Sequence, residues 1–260
     1  MLSMPAHKND ASLLNAVDEV IKTYGVRPTL LGSEEFADCF FNGVMVFDVL
    51  KREKAPHSKK KKNRPEKPPI DYGASMGKAS KRLGLGYVVF NAAYRKDMKD
   101  GGASYVAHYL RDFKKNNPGA IADAMLSPEF SRSHIPFILK ERPDLISYNV
   151  PINKLNRPAI RRIRNAIAAA RKLSKNKLIR AIFSIGKKTR LADVFSALRI
   201  FRKAGADMVV LHAAEDWNGA DGWFFELCER EAHYLGFRHV IAKPKLNLAY
   251  DLPEFISSIH

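Results

Sequence analysis

The C-terminal part of the chain alternates short, apolar, β-branched runs with longer runs of helical periodicity. The runs at 178–185, 207–213 and 238–242 have the length and composition of buried parallel strands. The runs at 191–204 and 222–235 place apolar residues at helical spacing. Parallel strands need a crossover between them, so this order predicts a right-handed βαβαβ unit. The predicted fold class is α/β with a C-terminal parallel sheet domain.

The first fifty residues predict a small helical unit ahead of the sheet domain. Asp10 can cap a first helix, whose apolar residues recur at three- and four-residue spacing. Ser33 opens a second stretch that we interpret as a helix running through Phe40, Phe47 and Leu50. The fold is thus expected to begin with helices and to reach its sheet only later.

A change in composition divides the chain into three parts. Residues 1–50 form the helical unit, and 51–80 are expected to be a basic, flexible linker or arm rich in Lys and Pro. Like charges repel and Pro favours extended backbone, so this arm cannot build a core. The α/β domain is expected to cover 81–260. Within it, 86–93 predicts a strand and 104–113 predicts a helix.

The charge of the chain points to an anionic partner. Its formal net charge is +17 and its sequence pI is about 9.9. Such self-repulsion destabilises a compact state unless a counter-charge offsets it, and nucleic acid is a common polyanionic partner of basic proteins. Acidic membranes, an acidic protein partner or a merely basic enzyme are the alternatives. Two segments carry clustered cations.

The first segment is the arm, with Lys59, Lys60, Lys61, Lys62 and Arg64. The second is a predicted helix at 157–173, which Asn156 can cap. Its apolar residues occupy one face, and cations recur along the other. This basic stripe consists of Arg157, Arg161, Arg164, Arg171 and Lys175. An anion opposite the stripe would relieve its internal repulsion, although a solvated basic face is the plainer alternative.

One acidic cluster follows the strand at 207–213. It begins with His212 at the strand end and includes Asp216, Asp221 and Glu226. Sites in α/β proteins lie outside the carboxyl ends of the strands, so these four residues are candidate acid, base or metal-binding groups. The spacing matches no metal signature, and Asp221 can instead cap the next helix. The sequence identifies no cofactor and predicts no metal centre.

Two family resemblances involve this region. The Ala206-Asp207 strand opening, Asp221-Gly222 and Glu226 resemble the pattern of nucleoside deoxyribosyltransferases, which implies Glu226 as a nucleophile. Gly101-Gly102-Ala103-Ser104-Tyr105 and Phe183-Ser184-Ile185 ahead of His212 resemble the relaxase class of conjugative nucleases. That class holds its metal with a His-x-His pair, which is missing here. Both resemblances imply an enzyme acting on nucleotides or nucleic-acid strands.

The sequence therefore predicts a protein that binds DNA or RNA through backbone phosphates, in replication, mobilisation or a mobile element. The alternative is the nucleotide or strand enzyme, working through residues 212–226. Cys39 and Cys228 are isolated and form no disulfide framework, and no secretory signal or membrane span is visible. We expect a cytoplasmic protein with no membrane partner. Its oligomeric state is open.

Overall fold

The computed structural model describes residues 19, 22–26, 44–50, 70–152, 156–214, 216, 217 and 219–245. Within this part of the chain, seven β-strands alternate with six α-helices. The strands are β1 (Val44–Val49), β2 (Tyr87–Ala92), β3 (Ile121–Leu126), β4 (Leu145–Pro151), β5 (Leu178–Ile185), β6 (Met208–Ala213) and β7 (His239–Lys243). The helices are α1 (Tyr72–Arg82), α2 (Ala103–Asn116), α3 (Ile135–Lys140), α4 (Arg157–Leu173), α5 (Leu191–Ala204) and α6 (Gly222–Tyr234).

All seven strands form one parallel sheet in the order of the sequence, from β1 to β7. Each strand is therefore hydrogen-bonded to the next one along the chain, with a helix in each of the six crossovers. Because parallel crossovers are right-handed, an unbroken order places the helices on the same side of the sheet. Consecutive helices accordingly pack against one another, from α3 on α2 to α6 on α5. This is the arrangement of a (β/α) barrel wall.

The helix-facing side of the sheet carries the main apolar core. Every second strand residue points to it, including Phe90, Tyr148, Phe183 and Leu211, and all of these are fully buried. Helices supply the facing layer, and Phe201 of α5 meets the Phe183 ring edge to face at 5.6 Å between centroids. Burial of these side chains is the main source of stability for the wall.

The opposite side, which we call the inner face, holds a smaller apolar cluster. Val46 of β1, Tyr87 of β2, Leu145 of β4 and Met208 of β6 belong to it. These residues contact one another across intervening strands, so the sheet curls toward this face. The carboxyl ends of all seven strands meet at one edge of the curl.

The structure confirms the predicted α/β class and its parallel sheet. Strand β5, helix α4 and helix α5 have the predicted bounds. The three strands of the predicted βαβαβ unit are β5, β6 and β7, the last part of a larger sheet. The strand predicted at 86–93 is β2, whereas β3 and β4 lie in a Pro-containing region that gave no clear pattern. Asn156 caps α4 as expected, because its Oδ1 accepts a hydrogen bond from the Ala159 N–H at 3.0 Å.

The prediction of a helix through Phe47 and Leu50 is wrong, since residues 44–49 form β1. Met45, Phe47 and Val49 pack on the main core, whereas Val46 packs on the inner face. A strand buried on both sides has no polar alternation, so its apolar spacing can match a helical pattern. The division at 1–50, 51–80 and 81–260 stays a prediction, although β1 brings part of the first unit into the sheet.

Candidate active site

One inner-face residue near the carboxyl end of each strand contributes to a largely polar edge that we call the rim. Its members are Asp48, Asn91, Met125, Asn149, Ser184, His212 and Lys243, one from each strand from β1 to β7. Immediately beneath the rim, the inner face contains Val46, Val89, Ile182, Val210 and Ile241 along with the polar Asp123 and Ser147. Since carboxyl ends of parallel strands carry the sites of such folds, the rim is the candidate active site.

Two neighbouring strands bring Ser184 and His212 together at the rim. They occupy directly paired positions of β5 and β6, and Ser184 Oγ lies 3.0 Å from His212 Nε2. His212 Nδ1 lies 2.9 Å from the carbonyl oxygen of Ala213. A carbonyl can only accept, so Nδ1 carries the proton and Nε2 presents its lone pair to the serine hydroxyl. The serine hydroxyl therefore donates to the imidazole.

The protonation state of His212 supports this tautomer. Burial lowers the pKa of the imidazole from its ordinary 6.5, only partly offset by the hydrogen bond to Ala213. The neutral ring is therefore the dominant form at neutral pH. Ser184 and His212 are both half-buried, so they can be reached from the rim.

Asp48 and Asn91 form a second pair on the other arm of the rim. The Asn91 side-chain amide donates to Asp48 Oδ1 at 2.7 Å, across directly paired positions of β1 and β2. Both side chains are half-buried. This pair supplies an acceptor and a donor at the rim, on strands distant from Ser184 and His212 in the sheet order.

A buried polar network lies beneath the rim on the inner face. Asp123 accepts from the Tyr87 hydroxyl at 2.6 Å and from the Ser147 hydroxyl at 2.7 Å, and it also binds the Arg180 guanidinium. Arg180 Nε donates to Ser147 Oγ at 3.0 Å. These side chains are almost completely inaccessible, and burial raises the pKa of Tyr87 well above its ordinary value. The network joins β2, β3, β4 and β5 from the inside.

The structure separates the predicted acidic cluster. His212 faces the inner face at the end of β6, whereas Asp216 and Asp221 are exposed in the following loop and Glu226 is exposed on α6. Asp221 stands at the N-cap position of α6 but makes no side-chain cap hydrogen bond. Within the described residues, no three His, Cys, Asp or Glu side chains are grouped to hold a metal ion. Of the four predicted residues, only His212 belongs to the rim.

The Gly101-Gly102 segment, which carried the relaxase resemblance, builds the start of α2. The Asp100 carboxylate accepts the N–H groups of Gly102 at 3.0 Å and Ser104 at 2.8 Å. Gly102 has φ of 92°, and a Cβ there would lie 2.4 Å from Leu50 Cδ1. The glycines are explained by backbone conformation and close packing.

The basic stripe is only partly realised. Arg157, Arg161, Arg164 and Lys175 are exposed, on α4 or just beyond it. Arg171 is not part of this surface, because its guanidinium binds the Asp207 carboxylate and donates to the Gly205 carbonyl oxygen at 3.1 Å. The arm residues Lys59, Lys60, Lys61, Lys62 and Arg64 lie outside the described residues.

Sequence reasoning missed most of the rim. The sequence indicates Ser184 only through the relaxase resemblance, and no motif indicates Asp48, Asn91, Asn149 or Lys243. A usable signal is present, since each of these polar residues lies at or next to the end of an apolar strand run. Asp123 and Arg180 also had a signal, because a charged residue inside an apolar strand requires a partner.

Curated proteins similar to this chain are lipoyl synthases. The enzyme of Thermus thermophilus is 26% identical over 200 residues, which cover 67% of this chain and 59% of that enzyme. The enzyme of Methanocella arvoryzae is 26% identical over 268 aligned positions, which cover 94% of this chain and 90% of that enzyme. The enzyme of Mycolicibacterium smegmatis is 31% identical over 189 residues, 65% of this chain and 58% of that enzyme. No protein-family model matches the chain.

Similar solved structures include 3-keto-L-gulonate-6-phosphate decarboxylase of Vibrio cholerae, with a TM-score of 0.43 and 12% sequence identity. The match covers 64% of this chain and 71% of that enzyme. A 2,3-dimethylmalate lyase matches with a TM-score of 0.42 and 15% identity over 72% of this chain and 76% of that one.

The likeness to lipoyl synthases overturns the predicted function. The interpretation as a nucleic-acid-binding protein with a DNA or RNA partner is wrong, and so is the alternative of an enzyme acting on nucleotides or strands. High positive charge is a property of the whole surface and does not select one anionic partner from another. In the described part of the chain, no helix has the length and apolarity to cross a bilayer.

Proposed function

We propose that this chain binds a lipoyl-type acyl group carried by a partner protein, with the acyl group entering at the rim. The observation that supports this proposal most directly is the layering of the inner face. Polar side chains at the rim lie above Val89, Ile182, Val210 and Ile241. A lipoyl group is an acyl chain with a polar carbonyl end and an apolar body. Its carbonyl would meet the rim, and its body would lie against the apolar residues below.

The similarity to lipoyl synthases supports this substrate class. It extends over 94% of the chain in one case, and so includes the sheet that carries the rim. Fold alone would not select a substrate, because one α/β scaffold supports many reactions. The identity of the relatives and the amphipathic inner face point to the same class of ligand.

The cysteines of the chain do not fit the cofactor that lipoyl synthesis calls for. Building a lipoyl group requires sulfur on saturated carbon, which is radical chemistry of the kind carried by iron–sulfur cofactors. Such clusters are held by several Cys thiolates. These 260 residues contain only Cys39 and Cys228. Cys228 is fully buried on α6, where burial raises the pKa of its thiol to about 12 and keeps it protonated.

The two cysteines of these 260 residues therefore do not fit an iron–sulfur cluster held by this chain. Two cysteines cannot provide the four thiolates of the common clusters, and one of the two is an apolar core residue. We infer that the chain retains recognition of the acyl group without the synthase chemistry. The predicted cytoplasmic location remains a proposal, supported by the free, buried thiol of Cys228.

The exposed part of the basic stripe suits a partner protein of complementary charge. Helix α4 contains no Asp or Glu, and Arg157, Arg161 and Arg164 are exposed along it. Charge complementarity of this kind mainly accelerates association and selects partners. We infer that the acyl-carrying protein presents an acidic surface to α4.

Binding of an acylated carrier domain tests the proposal. We would measure the affinity of the full chain for one carrier domain in octanoylated, lipoylated and unmodified form by isothermal titration calorimetry. Ile182→Asp places a carboxylate among the apolar residues below the rim, and we expect the affinity for both acylated forms to fall at least about tenfold. Ile200→Asp is the matched control, because Ile200 is a half-buried residue of helix α5.

Equal affinity for acylated and unmodified carrier, or equal loss in both variants, would contradict acyl recognition at the inner face. Thermal unfolding of each variant checks that the loss of affinity does not follow from loss of fold. Binding of none of the three carrier forms would contradict the carrier protein as the partner.

A further inference from the structure

We propose that Ser184 and His212 form a nucleophile and general base that cleave the carbonyl linkage of the bound acyl group. The two side chains are paired across β5 and β6 with Oγ and Nε2 3.0 Å apart, which is hydrogen-bond reach for proton transfer. Both point to the rim and are half-buried. The inference rests on the proposed function for the identity of the acyl group, but not for the reactivity of the pair.

The orientation of the imidazole is the first argument. The Ala213 carbonyl oxygen, 2.9 Å from Nδ1, fixes the tautomer that leaves Nε2 free to accept. A nucleophilic hydroxyl, a base within reach and a third group that orients the base are the parts needed to activate a serine. Here a backbone carbonyl is the third group. Because strands carry both residues, the geometry is held by the sheet itself.

A second Ser–His pair in the chain lacks these properties. Ser131 Oγ lies 3.1 Å from His134 Nδ1, but that nitrogen already accepts the Ser131 backbone N–H at 2.8 Å. Its base nitrogen is therefore occupied by a turn, with residues only three apart in sequence. Ser131 consequently serves as an internal control, since it is a serine beside a histidine without an available base.

The chemistry at Ser184 balances with water as the only co-reactant. His212 Nε2 takes the hydroxyl proton as Ser184 Oγ attacks the acyl carbonyl carbon. The carbon–nitrogen or carbon–sulfur bond to the carrier breaks, and the leaving group takes the proton from His212. Water then attacks the acyl-serine ester, releases the carboxylic acid and returns a proton to Ser184 Oγ. Lys243, paired with His212 in β7, places a positive charge at the same edge where the oxyanion would form.

Covalent labelling of the full chain tests the pair directly. We would incubate the protein with a fluorophosphonate probe, locate the adduct by mass spectrometry and measure the labelling rate. We expect an adduct on Ser184, no adduct there in Ser184→Ala, and a rate at least about tenfold lower in His212→Gln because the base is lost. Ser131→Ala should label at the unaltered rate.

Hydrolysis of octanoylated carrier is the second readout, followed by release of octanoic acid. Ser184→Ala should abolish the release, whereas Ser184→Cys, which keeps a nucleophile beside the same base, should retain part of it. A merely structural serine would give the same result in both variants. Circular dichroism and thermal unfolding confirm that each variant is folded.

The two proposals fail separately. Carrier binding without a Ser184 adduct or acid release would overturn the nucleophile and leave acyl recognition standing. A His212-dependent adduct on Ser184 without carrier binding would overturn the acyl-carrier function and leave the reactive pair. An adduct whose rate is unchanged by His212→Gln would refute the role of His212 as base.

Discussion

Single side chains decide the chemistry that the rim can offer, and His212 is the clearest case. Sequence alone placed this residue at a strand end and associated it with the acids that follow it. The structure instead gives it a serine on one side and a backbone carbonyl on the other. Its acidic neighbours in sequence turn outward into the loop and α6, so proximity along the chain did not become proximity in space.

The titration of His212 predicts how labelling of Ser184 depends on pH. Burial lowers the pKa of His212 below 6.5, and Lys243 occupies the paired position beside it. The base is lost only when the imidazole is protonated, so we expect the acid limb of the labelling rate to have its midpoint below 6.5. A midpoint at or above 6.5 would contradict the buried, neutral imidazole.

The same shift has a consequence for stability. Between the lowered pKa of the folded state and 6.5, the unfolded chain binds a proton at His212 that the folded chain does not. The contribution of His212 to the free energy of unfolding is therefore fully present above pH 6.5. It decreases as the pH falls from 6.5 to the lowered pKa of the folded state. Denaturant unfolding of the parent and of His212→Gln isolates this contribution, since the variant has no imidazole at this position.

At the scale of single elements, the contact between α1 and α2 depends on two glycines of α1. A Cβ on Gly73 would lie 2.6 Å from the Tyr109 Cα, and one on Gly77 would lie 2.7 Å from the Asn116 Cβ. Helices separated so little require residues without side chains at the crossing. Sequence periodicity cannot show this contact, because the partner helix is identified only by the tertiary structure.

Gly73→Ala should therefore destabilise the protein by about 1–3 kcal/mol, because the helices must separate to accept the methyl group. Denaturant unfolding measures the change. Gly86→Ala is the matched control, since nothing lies within 4 Å of a Cβ there and φ is not left-handed. We expect that control to change the stability by less than about 1 kcal/mol. Equal effects at both positions would exclude close packing as the cause.

At the scale of the whole molecule, one polar network joins four strands on the inner face of the sheet. Asp123, Tyr87, Ser147 and Arg180 come from four different strands and bind one another out of contact with water. A buried ion pair contributes little net free energy compared with apolar residues, but the loss of one partner leaves an uncompensated charge. We expect the network to favour the observed order of β2, β3, β4 and β5 over other strand pairings.

Arg180→Met should cost about 3–5 kcal/mol, because the Asp123 carboxylate then stays buried without its cation. The double variant Asp123→Asn with Arg180→Met also removes the negative charge of Asp123, and it should recover a large part of the lost stability. Denaturant unfolding of both single variants and the double variant gives the coupling between the residues. Additive losses would show that the two side chains act independently.

The α/β class, the bounds of β5, α4 and α5, and the cap at Asn156 could be predicted from the sequence, because each depends on local periodicity or a local hydrogen bond. Strand β1 could not, since burial on both faces removes the alternation that distinguishes a strand. The excess of cations was also evident, but its ligand was not, because charge alone does not distinguish one anion from another.

Only the tertiary structure decided the site. Ser184 and His212 are 28 residues apart in sequence and meet because β5 and β6 are neighbours in register. Arg171 continues the helical spacing of the basic stripe, but its guanidinium binds Asp207, the residue before β6, and so does not belong to the exposed surface. Local forces that act within a few residues determined elements such as β5, α4 and α5. The register of parallel strands, set by packing across the whole sheet, determined which side chains face one another.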